Sequence, residues 1–211
     1  MEPGALRNKL AVVFVPISTP FRDNEDVDYD ALRFNLERYA ASGVLGYLAL
    51  GSNGENRSLT EEEKLRVLDT IVRHKGARQV VMAGATYDAQ RDTERFLEQA
   101  AGLGADFGLV LPPGYFRKQM TDEVLYRYFS TLAGSSPLPL LLYNAPGFCG
   151  VTISPALVGR LAGRAGRSLV SDVGLNGRPN LRMSGCAADL RCSLNATTMR
   201  CEEPASKGGS P

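Results

Sequence analysis

Residues 51–55, Gly-Ser-Asn-Gly-Glu, follow the apolar run Tyr47–Leu50 and lead into a well-marked helix. The glycines Gly51 and Gly54 allow close backbone approach and positive φ. Between them, Ser52 and Asn53 bring a hydroxyl, a carboxamide and backbone N–H groups, a set that suits a carboxylate or another small anion. No Gly-Lys-Ser/Thr follows, so this is not a Walker loop, and no GxGxxG fingerprint follows the first apolar run. Two phenols stand at comparable places. Tyr115 follows Pro112-Pro113-Gly114, and Tyr143 precedes Asn144-Ala145-Pro146-Gly147. A tyrosine held in a hydrogen-bonded chain shuttles protons. Alone, the loop reads as a tight strand-to-helix turn and each tyrosine as a half-buried structural residue; together they point to a site.

Metal chemistry is not expected. The only histidine is His74, and Cys149, Cys186, Cys192 and Cys201 form no CxxC pair. His74 reads as a last-turn helix residue, where partial positive charge suits the dipole. Glu61–Glu63 reads as helix N-terminal charge rather than a ligand cluster.

The positioning elements alternate strand and helix with a beat of about 30 residues. Strands are expected at Leu10–Ile17, Val44–Leu50, Gln79–Ala83, Phe107–Leu111 and Leu138–Tyr143. Each is an apolar run without polar alternation, as parallel strands covered on both faces require. Helix signals fill the gaps. Asp28 caps one helix that Gly43 closes, and Thr60 with Glu63 forms a capping box. A third helix is expected over Asp88–Leu103, stopped by Gly104. Thr121 caps a fourth, and Ser154-Pro155 opens a fifth. This order predicts a parallel sheet of βα units, either a (β/α)₈ barrel or an open doubly wound sheet. In both, ligands meet the C-terminal ends of the strands, where Thr19, Gly51–Glu55, Tyr115 and Tyr143 all fall.

The composition changes near residue 165. Every Tyr and Phe lies at or before Phe148, whereas Cys186, Cys192 and Cys201 fall in a Gly/Arg/Ser/Asn-rich tail. That tail has few apolar residues to offset backbone ordering of roughly 1–2 kcal/mol per residue, so it is expected to be poorly ordered. The 211 residues are 44% hydrophobic with a formal net charge of +1, so no global field draws in nucleic acid or a membrane surface. The apolar run Leu10–Val15 is too short for a secretory core, which points to the cytoplasm.

Four motifs, PISTPF (16–21), GSNGE (51–55), VLPPGYFR (110–117) and LLYNAPG (141–147), resemble in order and spacing the dihydrodipicolinate synthase and N-acetylneuraminate lyase family. These are class I aldolases and lyases that handle pyruvate on a TIM barrel. The resemblance implies an α/β fold, an incomplete TIM (β/α)₈ barrel of about five βα units over residues 8–165, followed by an atypical tail, 166–211. It implies Schiff-base chemistry on pyruvate or another 2-oxo acid without metal or cofactor. Tyr143 would be the central proton relay, and Ser52 and Asn53, with Gly51, would bind the carboxylate and join the relay. Tyr115 would match a tyrosine that reaches a neighbouring subunit's site in the family's dimers and tetramers, and Thr19 would shape the floor.

Two departures stand out. Where the synthase branch carries an arginine after Tyr-Asn-x-Pro-Gly, this chain has Phe148. The Ser-Asn pair and Tyr115-Phe116-Arg117 look more like the hydroxy-oxoglutarate aldolase branch. The family's Schiff-base lysine belongs on the sixth strand, whose place here is Leu169–Leu175, LVSDVGL, without lysine. The only lysine beyond residue 118 is Lys207. Strands six to eight are therefore expected to be lacking, leaving the first and fifth strands as open edges, and the tail composition suggests a frame change or an alternative terminus. The expected function is that of an aldolase or lyase family member, 4-hydroxy-2-oxoglutarate aldolase-like or dihydrodipicolinate synthase-like, inactive for want of the lysine. The alternative is a non-catalytic 2-oxo acid binding or regulatory protein that associates with full-length homologues.

Overall fold

Side-chain caps set most helix starts. In the computed structural model, which describes residues 3–162, 168–171, 191–195 and 198–202, the Asp28 carboxylate accepts N–H bonds from Asp30 (3.0 Å) and Ala31 (2.9 Å) to open α2 (Tyr29–Ala41). Thr60 and Glu63 form the expected capping box of α3 (Glu61–His74), with His74 in its last turn. Thr121 caps α5 (Asp122–Ser135), and the Ser154 hydroxyl accepts from Leu157 N–H to open α7 (Pro155–Ala162). Helix α4 spans Gln90–Leu103 and ends at Gly104, whose φ of 101° any larger residue disfavours. It does not begin at Asp88; that carboxylate is engaged elsewhere. A short helix, α6 (Pro146–Cys149), follows the fifth strand.

The strands are β1 (Val13–Pro16), β2 (Gly46–Ala49), β3 (Val80–Ala85), β4 (Phe107–Val110) and β5 (Leu140–Tyr143). They pair in parallel in sequence order, and with their helices they form half of a barrel. A sixth strand, β6 (Ser168–Ser171), continues the parallel order beside β5, with Tyr143 opposite Ser171. A hairpin of β7 (Arg191–Asn195) and β8 (Thr198–Glu202) lays β8 antiparallel on β1. The expectation of no sixth strand and of open edges at β1 and β5 is thereby corrected. Ladder hydrogen bonds come from backbone groups, so an exposed edge recruits a segment that lacks an apolar signature. The expected disorder of the other tail residues lies outside the described residues.

Strand residues alternate between two cores. Tyr47, Ala49, Val81, Ala83, Val110, Leu140 and Leu142 face the helices. Phe14, Leu48, Val80, Met82, Phe107, Leu109, Leu141 and Tyr143 form the second, inner cluster. Period-2 alternation places Tyr143 on the inner face at the C-terminal end of β5.

An element absent from the sequence expectation is α1 (Pro3–Leu10), which takes Leu10 out of the first strand. Its Leu10 is buried, and Leu6 packs on the inner cluster. Lys9 in the same helix bonds the Asp106 carboxylate, which also accepts from Lys75 (3.0 Å) and from Val81 N–H (3.0 Å). Asp106 directly precedes β4, so this cluster ties α1, the end of α3 and the start of β3 together at the end of the sheet opposite the loops of interest.

Candidate active site

The Gly51–Glu55 loop is shaped by its neighbours more than by its glycines. Positive φ falls on Leu50 (57°) and Glu55 (51°), whereas Gly51 has φ −73° and ψ −175°. A left-handed non-glycine residue costs about 1–2 kcal/mol, and tertiary bonds must hold it there. The buried Asn56 amide provides them, donating to the Leu50 carbonyl and to Thr86 Oγ1 (3.0 Å). The glycines serve close approach. A Cβ on Gly54 would stand 2.9 Å from the Ile17 carbonyl, and one on Gly51 would stand 3.1 Å from Leu48 Cδ2. This corrects the reading in which the glycines supply the positive φ.

One cavity of about 780 Å³ opens at the C-terminal ends of β2 to β5, and Gly51, Ser52, Asn53, Tyr115 and Tyr143 all line it. Ser52 and Asn53 are exposed to it, and the Ser52 hydroxyl is a polar neighbour of the Tyr143 phenol. Burial pushes the Tyr143 phenol above its ordinary value, and the neighbouring Ser52 hydroxyl only partly reverses this. The phenol therefore keeps its proton at neutral pH and is a donor. Its ring lies 6.5 Å from that of Phe148, which is 60% exposed. Tyr115 is 78% exposed and stacks edge-on against Phe116 at 4.9 Å.

Thr19 does not line the cavity. It is buried, and its hydroxyl donates to the Gly54 carbonyl at 2.7 Å, so it fixes the loop from below. Thr19→Val, which keeps the shape and removes the donor, is expected to lower stability by about 1–2 kcal/mol in denaturant unfolding. A change under about 0.5 kcal/mol would show that the loop holds without this bond.

Several residues take positioning roles that the sequence reading did not assign. The Asp88 carboxylate accepts from Gly114 N–H (2.7 Å) and Tyr115 N–H (3.0 Å), fixing the loop that carries Tyr115. In sequence, an Asp before a helical pattern signals a cap, and nothing marks its distant partners. Asn56 looks like an ordinary turn residue, and Gly84 like a break in a strand. Asn144 holds the last loop, with Oδ1 accepting from Ile153 N–H at 2.9 Å and Nδ2 donating to Ile153 O at 3.3 Å.

No lysine lines the cavity among the described residues. Lys9 and Lys75 bind Asp106 at the far end, and Lys64 pairs with Glu61 (2.6 Å) over the Tyr87 ring. Among the described residues no group of three or more His, Cys, Asp or Glu is placed to hold a metal ion, and no helix is long and apolar enough to cross a membrane. Of the stretch expected to carry the Schiff-base lysine, 169–175, residues 169–171 fall in β6, and residues 172–175 lie outside the described residues.

Similarity to known proteins agrees with this geometry. The chain is 36% identical over 156 residues to the L-threo-3-deoxy-hexylosonate aldolase of Hypocrea jecorina, covering 71% of this chain and 50% of that one. It is 36% identical over 148 residues to the 4-hydroxy-tetrahydrodipicolinate synthase of Legionella pneumophila, covering 70% and 50%. In structure it is similar to the chloride-inhibited dihydrodipicolinate synthase of Acinetobacter baumannii complexed with pyruvate. That match has a TM-score of 0.74 and 30% identity, over 79% of this chain and 57% of the other. The chain spans about half the length of the curated relatives it matches. Residues 9–167 match the Dihydrodipicolinate synthetase family, and with the half-barrel and its strand-end cavity this makes the chain a member of that family.

Proposed function

We propose that this chain carries the 2-oxo-acid-recognising part of a Schiff-base aldolase or lyase site, and that it holds pyruvate or a related 2-oxo acid without forming an iminium. The observation that carries this reading is the convergence of Ser52, Asn53 and Tyr143 on one strand-end cavity. Ser52 and Asn53 meet the carboxylate, with Gly51 allowing close approach, and the protonated Tyr143 phenol donates a hydrogen bond to the bound acid's 2-oxo oxygen. Tyr115 covers the mouth. The iminium is withheld because 169–175 has no lysine. No metal or cofactor enters this chemistry. The related 4-hydroxy-2-oxoglutarate aldolase and the structurally similar synthase complexed with pyruvate support the substrate class. The free, half-buried Cys149 thiol suits a reducing compartment, and we place the protein in the cytoplasm.

A second reading, a regulatory subunit that joins full-length homologues as the family's dimers and tetramers do, is favoured by the exposed Tyr115, Phe116 and Val124 beside one surface cavity. Both readings share the 2-oxo acid site. The test is pyruvate titration followed by ligand-observed NMR, with borohydride reduction and peptide mapping in parallel. Saturable binding without a reducible adduct is expected. An adduct on Lys9, Lys64, Lys75, Lys118 or Lys207 would overturn the lysine-less reading, and no binding would overturn the 2-oxo acid reading.

A further inference from the structure

The β7–β8 hairpin brings together a cysteine pair that the 2-oxo acid reading does not use. The two strands pair antiparallel over five register positions, and Cys192 stands opposite Cys201. Opposite residues in an antiparallel ladder alternate between Cα separations of about 5.5 Å and about 4.5 Å. A disulfide spans Cα separations of roughly 4.4–6.8 Å, so either kind of pair admits the bond. Cys149 is placed differently: it lies on α6, and its thiol donates to the Ala145 and Val151 carbonyls, each at 3.4 Å.

The pair sits where the sheet has its shortest joint. Strand β8 meets β1 at two register positions, Val13 opposite Arg200 and Phe14 opposite Met199. On its other side β1 meets β2 at three. Apart from the cysteines, Leu194 and Met199 are the apolar residues of β7 and β8. Burial therefore contributes little to the hairpin, and a two-stranded ribbon is marginal in water by itself. Its hold on β1 depends on the ribbon staying formed. The edge it covers matters, because Phe14 belongs to the inner cluster and a bare β1 edge is a template for another chain.

We propose that Cys192 and Cys201 form a reversible disulfide across the hairpin, a redox-sensitive clasp that holds β8 on β1. The oxidant is a low-molecular-weight disulfide of the glutathione type. One cysteine thiolate attacks it, giving a mixed disulfide and one small thiol; the opposite cysteine thiolate then displaces the second small thiol. One S–S bond breaks in the oxidant and one forms in the protein. Two electrons pass to the oxidant, and the two cysteine protons end on the released thiols. In a reducing compartment such a bond is a switch rather than a fixed staple, set by the balance of small disulfide and thiol. The bond closes a short loop, 192–201, and so restricts the opened hairpin. This inference does not depend on the 2-oxo acid reading.

The test uses the full chain treated with oxidised glutathione or with dithiothreitol. Trypsin cuts after Arg182, Arg191, Arg200 and Lys207 and so separates all four cysteines. After oxidation and alkylation of free thiols, mass spectrometry is expected to find peptide 192–200 linked to peptide 201–207, with Cys149 and Cys186 alkylated. Hydrogen exchange of the β1 and β8 amides is expected to be slower in the oxidised chain by on the order of 10- to 100-fold. Cys192→Ser and Cys201→Ser are each expected to abolish that difference and to leave glutathione on the remaining cysteine of the pair. Four alkylated thiols after oxidation, or linkage of Cys192 or Cys201 to Cys149 or Cys186, would overturn the pairing. Linked peptides with unchanged exchange in β1 would overturn the clasp.

Discussion

Gly84→Ala is expected to destabilise the protein by on the order of 3 kcal/mol and to collapse the cavity. The methyl group would stand 2.3 Å from the Leu50 carbonyl oxygen and 2.9 Å from its carbon. Both are backbone atoms, and they cannot retreat cheaply. Parallel pairing of β2 with β3 stops at Ala49 opposite Ala83. Leu50 then turns into the left-handed region, and its carbonyl folds over the next inner position of β3, which is Gly84. The same carbonyl accepts from Asn56, which shapes the Ser52–Asn53 wall. A push at Gly84 therefore reaches the proposed carboxylate site through one bond. Denaturant unfolding and pyruvate binding measured together check this. A variant within about 0.5 kcal/mol of the parent would show that Leu50 has room to move.

Asp106→Asn is expected to cost about 2–4 kcal/mol at neutral pH, and the cost should fade in acid. Burial raises the carboxyl's affinity for protons, but bonds from Lys9, the Val81 N–H and Lys75 outweigh it and hold the group below its usual range. A carboxyl whose folded pKa is depressed contributes stability above its unfolded value, near 4, and loses it as pH falls through the lower folded value. The gap between parent and variant should accordingly be full at pH 7, nearly full at pH 5 and shrinking below pH 4. Lys9 is 38% exposed on its side chain, so its share is screened and Lys75 with the Val81 bond carries more. Urea unfolding at these pH values is the measurement. A gap independent of pH would mean that Asp106 acts by packing alone.

These two sites also show where sequence reasoning stops. The caps at Asp28, Thr60, Thr121 and Ser154 were legible because each bonds a backbone N–H two or three residues along the chain. The strands were legible as apolar runs and the family as four ordered motifs, which also named Ser52, Asn53, Tyr115 and Tyr143. Apolar runs without alternation do not say which residue faces the barrel and which faces the helices. The register of β1 to β5 decides that, and with it the inward placement of Tyr143. Asp88 resembles a cap in sequence, yet its partners lie 26 and 27 residues away. Thr19 looks like a site residue, yet its hydroxyl holds Gly54, 35 residues on. The positive φ falls on Leu50 and Glu55 rather than on the glycines because Asn56, Thr86 and Gly84 together hold the turn. The sequence by itself determined the elements and the chemical types at their ends, since caps, turns and apolar patterns act within a few residues. Only the tertiary structure decided which polar groups face the cavity and which hold its walls, because those bonds form between loops that the parallel sheet brings side by side.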